Sequence, residues 1–581
     1  MTNYKISLPP SVLCDFYKVS HKDLYPKGTE LIYSTLTPRS NKYLPVANGA
    51  VVFGIQAFIK KYLIDFFNEN FFNRPKQDVV NEYVRVIKFT LGVENPDASH
   101  IAKLHDLKYL PVKIKVLKEG TIAPIKVPVL TIENTDKDFF WLTNYLETII
   151  STQVWQPMTS ATIAYQYRKS LNEYALKTTG TTDGVGFQGH DFSMRGMASL
   201  ESAMASGAGH LLSFDGTDTI PAILYHEGYY NANIENELVG TSIVATEHSI
   251  QSALTPADGD RDEFEAYKYL ITEACPSGFM SIVSDTYDFW KVVGDILPRL
   301  KDDIMKRDGR VVIRPDSGVP EDILCGKKIE EVTKSKYVTD LEVAKEVMKD
   351  WLVETVDEET PHGEHGEEYP VGEFKFDGKY YRIKLDIMWN RHDKQYYYMD
   401  GVSISSFEEF TPTNEDLGLI ESLWNIFGGT VTEQGYKVLD THIGAIYGDS
   451  ITLERAKTIV ERLEAKGFAS TNVVLGIGSY TYQHVTRDTL GFAMKATYAI
   501  INGEERMLFK DPKTDDGTKR SQRGRVVVFK NPNNGQITYV DGLNQEKEES
   551  MSDVNLLETV FENGKLVRDQ SLSEIRQILH G

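Results

Sequence analysis

The sequence predicts an α/β fold in which parallel strands alternate with helices. Three observations carry this expectation. First, a short apolar run followed by a cluster of Asp, Ser, His, Arg or Gly recurs along the chain. It appears as LLSFDGTDT (211–219), SIVATEHS (242–249), MSIVSDTYD (280–288), VVIRPDSG (311–318), IGAIYGDS (443–450) and VVLGIGS (473–479), each run being strand-length. Second, the GDS cluster leads into a helical pattern that places Leu453, Ala456, Ile459, Val460 and Leu463 on one face, with Gly467 suited to end the helix. Third, polar clusters at successive strand exits favour a barrel whose site lies at the strands' C-terminal face. A doubly wound open sheet, which also binds ligands at strand C-termini, is the alternative.

Composition bounds the function. The 581 residues carry 63 Lys plus Arg against 84 Asp plus Glu, a net charge of −21, which speaks against a general nucleic-acid binder. Hydrophobic residues at 41% and charged residues at 25% fit a globular protein, and the length predicts several domains or one large elaborated one. Cys14, Cys275 and Cys325 are too few and scattered for a disulfide framework or a thiolate metal cage, and fit a reducing cytoplasm. The N-terminal residues lack a secretory pattern. No run of about 18 uncharged apolar residues predicts a membrane span. A soluble, cytoplasmic protein is expected.

The acidity is uneven. Residues 319–440 hold 27 acidic and 13 basic side chains, a net of −14, whereas the other 459 hold 57 and 50, a net of −7. This stretch contains a polar, Gly/Pro-punctuated segment, VDEETPHGEHGEEYPVGE, that reads as a solvated loop. Two runs follow with turns at Asp377-Gly378 and Asp400-Gly401, a β-hairpin signal. An acidic, β-rich inserted module is expected, bounded at 326–417.

Two apparent motifs lose weight in context. Gly184 to Gly189 fits G-x-G-x-x-G but lacks the preceding strand and following helix of a dinucleotide site. His362 and His365 sit in the hydrophilic loop, where solvation is the plainer reading than metal binding. The chemistry lies elsewhere. Glu247-His248 ends one apolar run, Asp285 another, and Arg314 with Asp316 a third. Converging exits would surround a histidine with carboxylates that orient it and stabilise its imidazolium, suiting it to act as a nucleophile or general base. Gly448-Asp449-Ser450 and Gly476-Ile477-Gly478-Ser479 let backbone approach a phosphate at a helix start.

The chain resembles the nicotinamide phosphoribosyltransferases, of the type II phosphoribosyltransferase family. The resemblance rests on DFYKVSHKDLYP (15–26), ENTDKDFFWLTNYLET (133–148), HDFSMRG (190–196), FDGTDT (214–219), ATEHS (245–249), VSDTYD (283–288), IRPDSG (313–318), GDS (448–450), TRD (486–488) and FKDP (509–512), in family order and outside roughly 326–417. It implies an irregular (β/α) barrel over 166–484, with an α/β sandwich domain built from 1–165 and 485–581. It also implies the reaction of nicotinamide with 5-phosphoribosyl 1-pyrophosphate (PRPP) to give nicotinamide mononucleotide for NAD salvage. ATP-dependent phosphorylation of His248 would assist turnover, supported by Glu247 and Asp285.

By the same resemblance Phe192 stacks on one face of the base and Tyr17 of a second subunit on the other, so a homodimer with shared sites is implied. Asp218 binds the carboxamide and repels nicotinate, and Ser281 adds an amide contact. Arg195, Arg314 and Asp316 hold the ribose phosphate and hydroxyls, with Gly448, Asp449 and Gly478 at the phosphate loops. Arg39, Arg487, Lys495 and Lys510 surround the pyrophosphate together with Mg2+. GIGSY departs from the family loop, with Ser479 and Tyr480 replacing glycines. The insert falls after the Arg314–Gly318 exit, interrupting the start of the following helix. Loops after barrel strands face the site, so the insert is placed to reach the pocket mouth. Its acidity predicts instead that it lies away from the PRPP phosphates. Nicotinate phosphoribosyltransferase is the rival activity, and a non-catalytic binding or signalling protein is the rival from another class.

Overall fold

A computed structural model of the protein describes residues 8–255, 262–355, 367–368, 371–390, 395–397, 403–511, 514 and 520–581. Seven parallel strands carry the strand exits: β1 (Gly189–Asp191), β2 (Gly216–Thr217), β3 (Val244–Ala245), β4 (Met280–Val283), β5 (Val311–Arg314), β6 (Ile443–Tyr447) and β7 (Val473–Ile477). The expected α/β class holds, as an irregular half-barrel. By contact the chain divides into one unit of residues Met1–Ile243, Gly448–Val460 and Ala469–Gly581 and another of Val244–Tyr447 and Glu461–Phe468.

The first unit contains an antiparallel sheet that interleaves both chain ends. Its order is Glu504–Met507, Ala493–Ile501, Thr29–Thr37, Leu130–Asn134, Val112–Val116, Glu558–Glu562, Lys565–Leu566. Alternation in VKIKV buries Val112, Ile114 and Val116 completely while the lysines between them stay partly exposed, as a sheet with one core face requires. Against this sheet Arg525 is buried between two carboxylates, Glu548 at 2.5 Å and Glu133 at 2.6 Å, with Tyr33 and Tyr498 flanking its guanidinium. In the same unit β1 pairs in parallel with β7 and with β2.

One strand expectation fails in part. LLSF, read as a strand, prolongs the helix Leu200–His210 as turns, because the amides of Ser213 and Phe214 both bond back to the His210 carbonyl. Leu211, Leu212 and Phe214 are buried, and the strand shrinks to Gly216–Thr217. An apolar run alone does not distinguish a strand from a buried turn. The helix after the GDS cluster is Leu453–Ala465, and Gly467 at φ +76° ends it.

In the second unit β5 pairs in parallel with β4 and β6, and β3 with β4. The acidic module grows from this unit. Its antiparallel hairpin, Val371–Phe376 with Lys379–Asn390, turns at Asp377 (φ +49°) and Gly378 (φ +82°). Those are the positive angles that a type I′ turn needs. Besides strands it holds a 15-residue helix, Leu341–Thr355, whose Ala344 and Met348 pack on Phe374, Phe376 and Tyr381. The Asp400-Gly401 turn, His362 and His365 lie outside the described residues.

As expected, the module interrupts the helical segment after β5 near its start. The chain first completes the helix Pro320–Cys325, then leaves at Gly326 and returns at Gly418. At the neck a Cβ on Gly418 would lie 2.1 Å from the Gly326 nitrogen, and Lys327 bonds Asp416 at 2.7 Å.

Also in the second unit, Glu263 is 3% exposed, and its Oε1 has no hydrogen-bond partner among the described residues. Burial first, then the charges of Asp288, Asp262 and Asp285 against the opposing Lys291, push its carboxyl up to about 7.

Two stability measurements follow. Arg525→Ala removes the guanidinium from partly buried Glu133 and leaves buried Glu548 with Lys115 alone, at 2.7 Å, so unfolding in urea should show a loss of about 2–4 kcal/mol; a loss under about 1 kcal/mol would refute the buried-pair account. Glu263 holds its proton in the folded protein where the unfolded chain has released it. Its burial therefore costs nothing below the ordinary carboxylate range, and a growing amount as pH rises toward 7. Glu263→Gln should stabilise the protein by up to about 3 kcal/mol at pH 8 and leave it unchanged at pH 4. Equal gains at both pH values would sink the assignment.

Candidate active site

In the second unit, parallel register gathers the residues expected around the histidine. Met280 lies opposite Val311 and Val283 opposite Arg314, so the exits carrying Asp285 and Asp316 fall side by side. Asp285 Oδ2 accepts bonds from the Asp316 amide at 3.0 Å and the Ser317 hydroxyl at 2.6 Å. Its other oxygen, Oδ1, is buried with no hydrogen bond among the described residues and stands 3.9 Å from His248 Nε2. His248 opens the helix His248–Leu254, with Glu247 as the residue before it and Thr286 Oγ1 3.0 Å from Nδ1. Its side chain is 51% exposed, whereas that of Asp285 is 6% exposed. A histidine reachable from solvent and backed by a buried carboxylate can attack a phosphoryl group, because the carboxylate stabilises the cation that forms.

Around this pair Arg314 Nε meets Asp316 Oδ1 at 3.3 Å, with the arginine side chain only 13% exposed. Glu247 accepts from Ser249 Oγ. Ser281 is buried on β4 and its hydroxyl lacks a partner among the described residues. The six residues expected to act that fall in this unit, Glu247, His248, Ser281, Asp285, Arg314 and Asp316, therefore lie on β4, at the end of β5, or just past the exits of β3, β4 and β5.

In the first unit Phe192 and Asp218 follow the paired strands β1 and β2, and the Asp218 amide bonds the Asp191 carbonyl. His190 joins them. Its Nε2 donates to Asp218 Oδ1 at 2.8 Å, and its ring centroid is 4.6 Å from that of Phe192. Ser242 Oγ donates to the same Asp218 oxygen at 2.6 Å. Sequence reasoning missed both residues. The signal for His190 was present, since residues 190 and 192 share a face in an extended strand.

In the first unit the two loops expected to bind phosphate are stitched together. Tyr167 Oη and Thr481 Oγ1 both donate to the Ile451 carbonyl, at 3.0 and 2.9 Å, which joins the segment after Gly448 and Asp449 to the turn after Gly478. The short helix Ser479–Tyr482 begins after Gly478, above which a Cβ would meet open space. Phe192 N bonds Ile477 O, and Gly196 lies against Ser479, bringing Arg195 to the same loop. Ser479, a departure from the family loop, thus occupies the space that the missing Gly196 side chain leaves.

The remaining cations collect around Lys495. Burial lowers its ammonium pKa; Glu147 opposes that, and the positive charges of Arg39, Lys510 and Lys18 reinforce it. Lys18, which sequence reasoning did not single out, is buried and paired with Glu147 at 2.5 Å. Arg39 bonds the carbonyls of the turn that follows Arg487, through Gly491 at 3.1 Å. Tyr17 is 60% exposed beside Lys18.

No group of three or more His, Cys, Asp or Glu side chains is spaced to cage a metal among the described residues. A Mg2+ carried on diphosphate oxygens needs only one or two protein carboxylates, and Asp449 is exposed beside the phosphate loops. No helix among the described residues is long and apolar enough to cross a membrane.

The profile of the nicotinate phosphoribosyltransferase (NAPRTase) family matches residues 187–347 and 403–565, leaving a gap inside the acidic module, and that of the nicotinamide phosphoribosyltransferase N-terminal domain matches residues 11–114. A protein of Acinetobacter baylyi named nicotinamide phosphoribosyltransferase is 42% identical over 97% of this chain and 96% of its own length. One of Mycoplasma pneumoniae with the same name is 31% identical over 90% and 96%. Among solved structures, human nicotinic acid phosphoribosyltransferase aligns over 98% of this chain and 93% of that one, with TM-score 0.48 and 13% identity. With a family match over more than half its length and a relative 42% identical across nearly all of it, the chain belongs to the nicotinate phosphoribosyltransferase (NAPRTase) family, in the branch carrying the nicotinamide phosphoribosyltransferase N-terminal domain.

Proposed function

We propose that this protein transfers the phosphoribosyl group of PRPP to nicotinamide, giving nicotinamide mononucleotide and pyrophosphate. The observation that carries the reading is Asp218 beside Phe192, with His190 touching both. A carboxylate next to an aromatic face accepts the N–H of a carboxamide and repels the carboxylate of nicotinate. The relatives named nicotinamide phosphoribosyltransferase support the same choice of base.

In the reaction the pyridine nitrogen bonds to C1 of the ribose as the bond from C1 to the pyrophosphate oxygen breaks. The cations around Lys495 suit the negative charge that builds on the leaving group, and Mg2+ on the diphosphate supplies further neutralising charge. Arg195, Gly448 and Gly478 suit the 5-phosphate, and Arg314 with Asp316 the ribose. ATP phosphorylates His248: the imidazole nitrogen attacks the γ-phosphorus, ADP leaves, and Asp285 with Glu247 stabilises the phosphohistidine cation. The exposed Tyr17 supplies a second aromatic face to the partner's pocket in a homodimer. Cys14, Cys275 and Cys325 form no disulfide among the described residues, which suits a cytoplasmic location.

Purified protein given PRPP, Mg2+ and labelled nicotinamide should release pyrophosphate and the mononucleotide, and ATP should raise the rate. His248→Ala should abolish the ATP stimulation while keeping a slower basal reaction; stimulation that survives the change removes His248 from the ATP step. Asp218→Asn should reduce the ratio of kcat/KM for nicotinamide over nicotinate by about 100-fold, the size of a several-kcal/mol like-charge repulsion. An unchanged ratio would assign discrimination elsewhere.

A further inference from the structure

Asp218 is a partly solvent-facing side chain, 44% exposed, yet one of its oxygens is gripped twice. Oδ1 takes the Nε2 proton of His190 at 2.8 Å and the hydroxyl of Ser242 at 2.6 Å, lengths typical of bonds to a charged acceptor. An exposed aspartate held by neither would rotate freely about its two side-chain torsions. Two donors on one oxygen stop that rotation, and because a carboxylate is planar, they also set the direction of Oδ2.

His190 is itself held. It is 9% exposed, on β1, with its Phe192 neighbour tilted at 43° and 4.6 Å away. On its other side is Gly216 of the paired strand β2, where a Cβ would lie 2.7 Å from His190 Nδ1. Only a residue without a side chain leaves room there for the ring. A single buried ring therefore contacts both the aromatic face and the carboxylate assigned to the base. Ser242 comes from the segment entering β3 and is exposed.

We propose that His190 and Ser242 are positioning residues that fix Asp218 and thereby set the preference for a carboxamide base over a carboxylate base. The inference rests on the nicotinamide reading given above. A carboxylate free to swing can turn from an incoming nicotinate and lessen the repulsion, or bond the carboxamide in several poses; a carboxylate fixed on one oxygen can do neither. Discrimination thus depends on the immobility of Asp218 as well as its charge, since repulsion at a fixed distance is what separates the two bases. Neither residue touches the reacting atoms, so their effect runs through Asp218.

The test is a double-mutant cycle on the full-length enzyme, with kcat/KM measured separately for nicotinamide and nicotinate. His190→Ala and Ser242→Ala should each lower the nicotinamide-to-nicotinate ratio by about tenfold, the scale of one charge-assisted hydrogen bond, through a higher KM for nicotinamide and a lower one for nicotinate. His190→Gln, whose amide can still donate, should keep the ratio within about twofold of the parent. In an Asp218→Asn background neither alanine change should move the ratio further. Equal losses for both bases would overturn the proposal in favour of a packing role, as would a ratio change that persists without the Asp218 charge. If His190→Ala does not fold, the exposed Ser242→Ala decides alone, an unchanged ratio refuting the clamp. A parent ratio that survives Asp218→Asn by itself would instead overturn the assignment of Asp218 to the base, a result separable from failure of the clamp.

Discussion

The alignment of strand ends by parallel pairing is the constraint on which the site depends. Val311 lies opposite Met280 on one side and Ile443 on the other. Parallel strands in register finish at one level, so whatever follows them emerges together. Asp285 and Asp316 emerge within a hydrogen bond of each other, and His248 arrives over them at the start of its helix. The same rule acts in the first unit on a smaller scale. His190 opposite Gly216, and Asp191 opposite Thr217, bring Phe192 and Asp218 to one exit. A slip of one residue would turn His190 to the other face and undo both contacts.

Charge is organised around a similar separation. An enzyme acting on a polyanion needs local cations, yet the chain is acidic overall, at −21. The cations gather where Arg39, Lys510 and Lys18 repel the ammonium of Lys495 and a half-buried Glu147 partly compensates. The anions concentrate in a module that leaves the short helix Pro320–Cys325 through paired glycines. The module has its own core of Ala344, Met348, Phe374, Phe376 and Tyr381, so its acidity is carried on a separately packed surface.

Much of this was legible in the residues. The strands of MSIV, VVIR, IGAIY and VVLGI, the helix after GDS with its closing Gly467, and the hairpin at Asp377-Gly378 follow from periodicity and turn chemistry. LLSF was misread because its burial comes from a helix end and not from a sheet. The module was expected to interrupt the helix after Arg314–Gly318 at its start, and the chain does leave after only Pro320–Cys325 and resumes as Leu419–Phe427. Lys18 was passed over because its burial against Glu147 comes from residues 129 positions apart.

By itself, then, the sequence determined the α/β class, the acidic module and the set of chemical groups at the strand exits, because apolar period, charge and turn residues are local properties. Tertiary structure alone decided which oxygen of Asp285 faces His248, that Ser242 and His190 share one oxygen of Asp218, and where the module leaves the body. Those outcomes depend on register and on contacts between residues distant in the chain, and hydrogen bonds fix direction only once both partners are held in space.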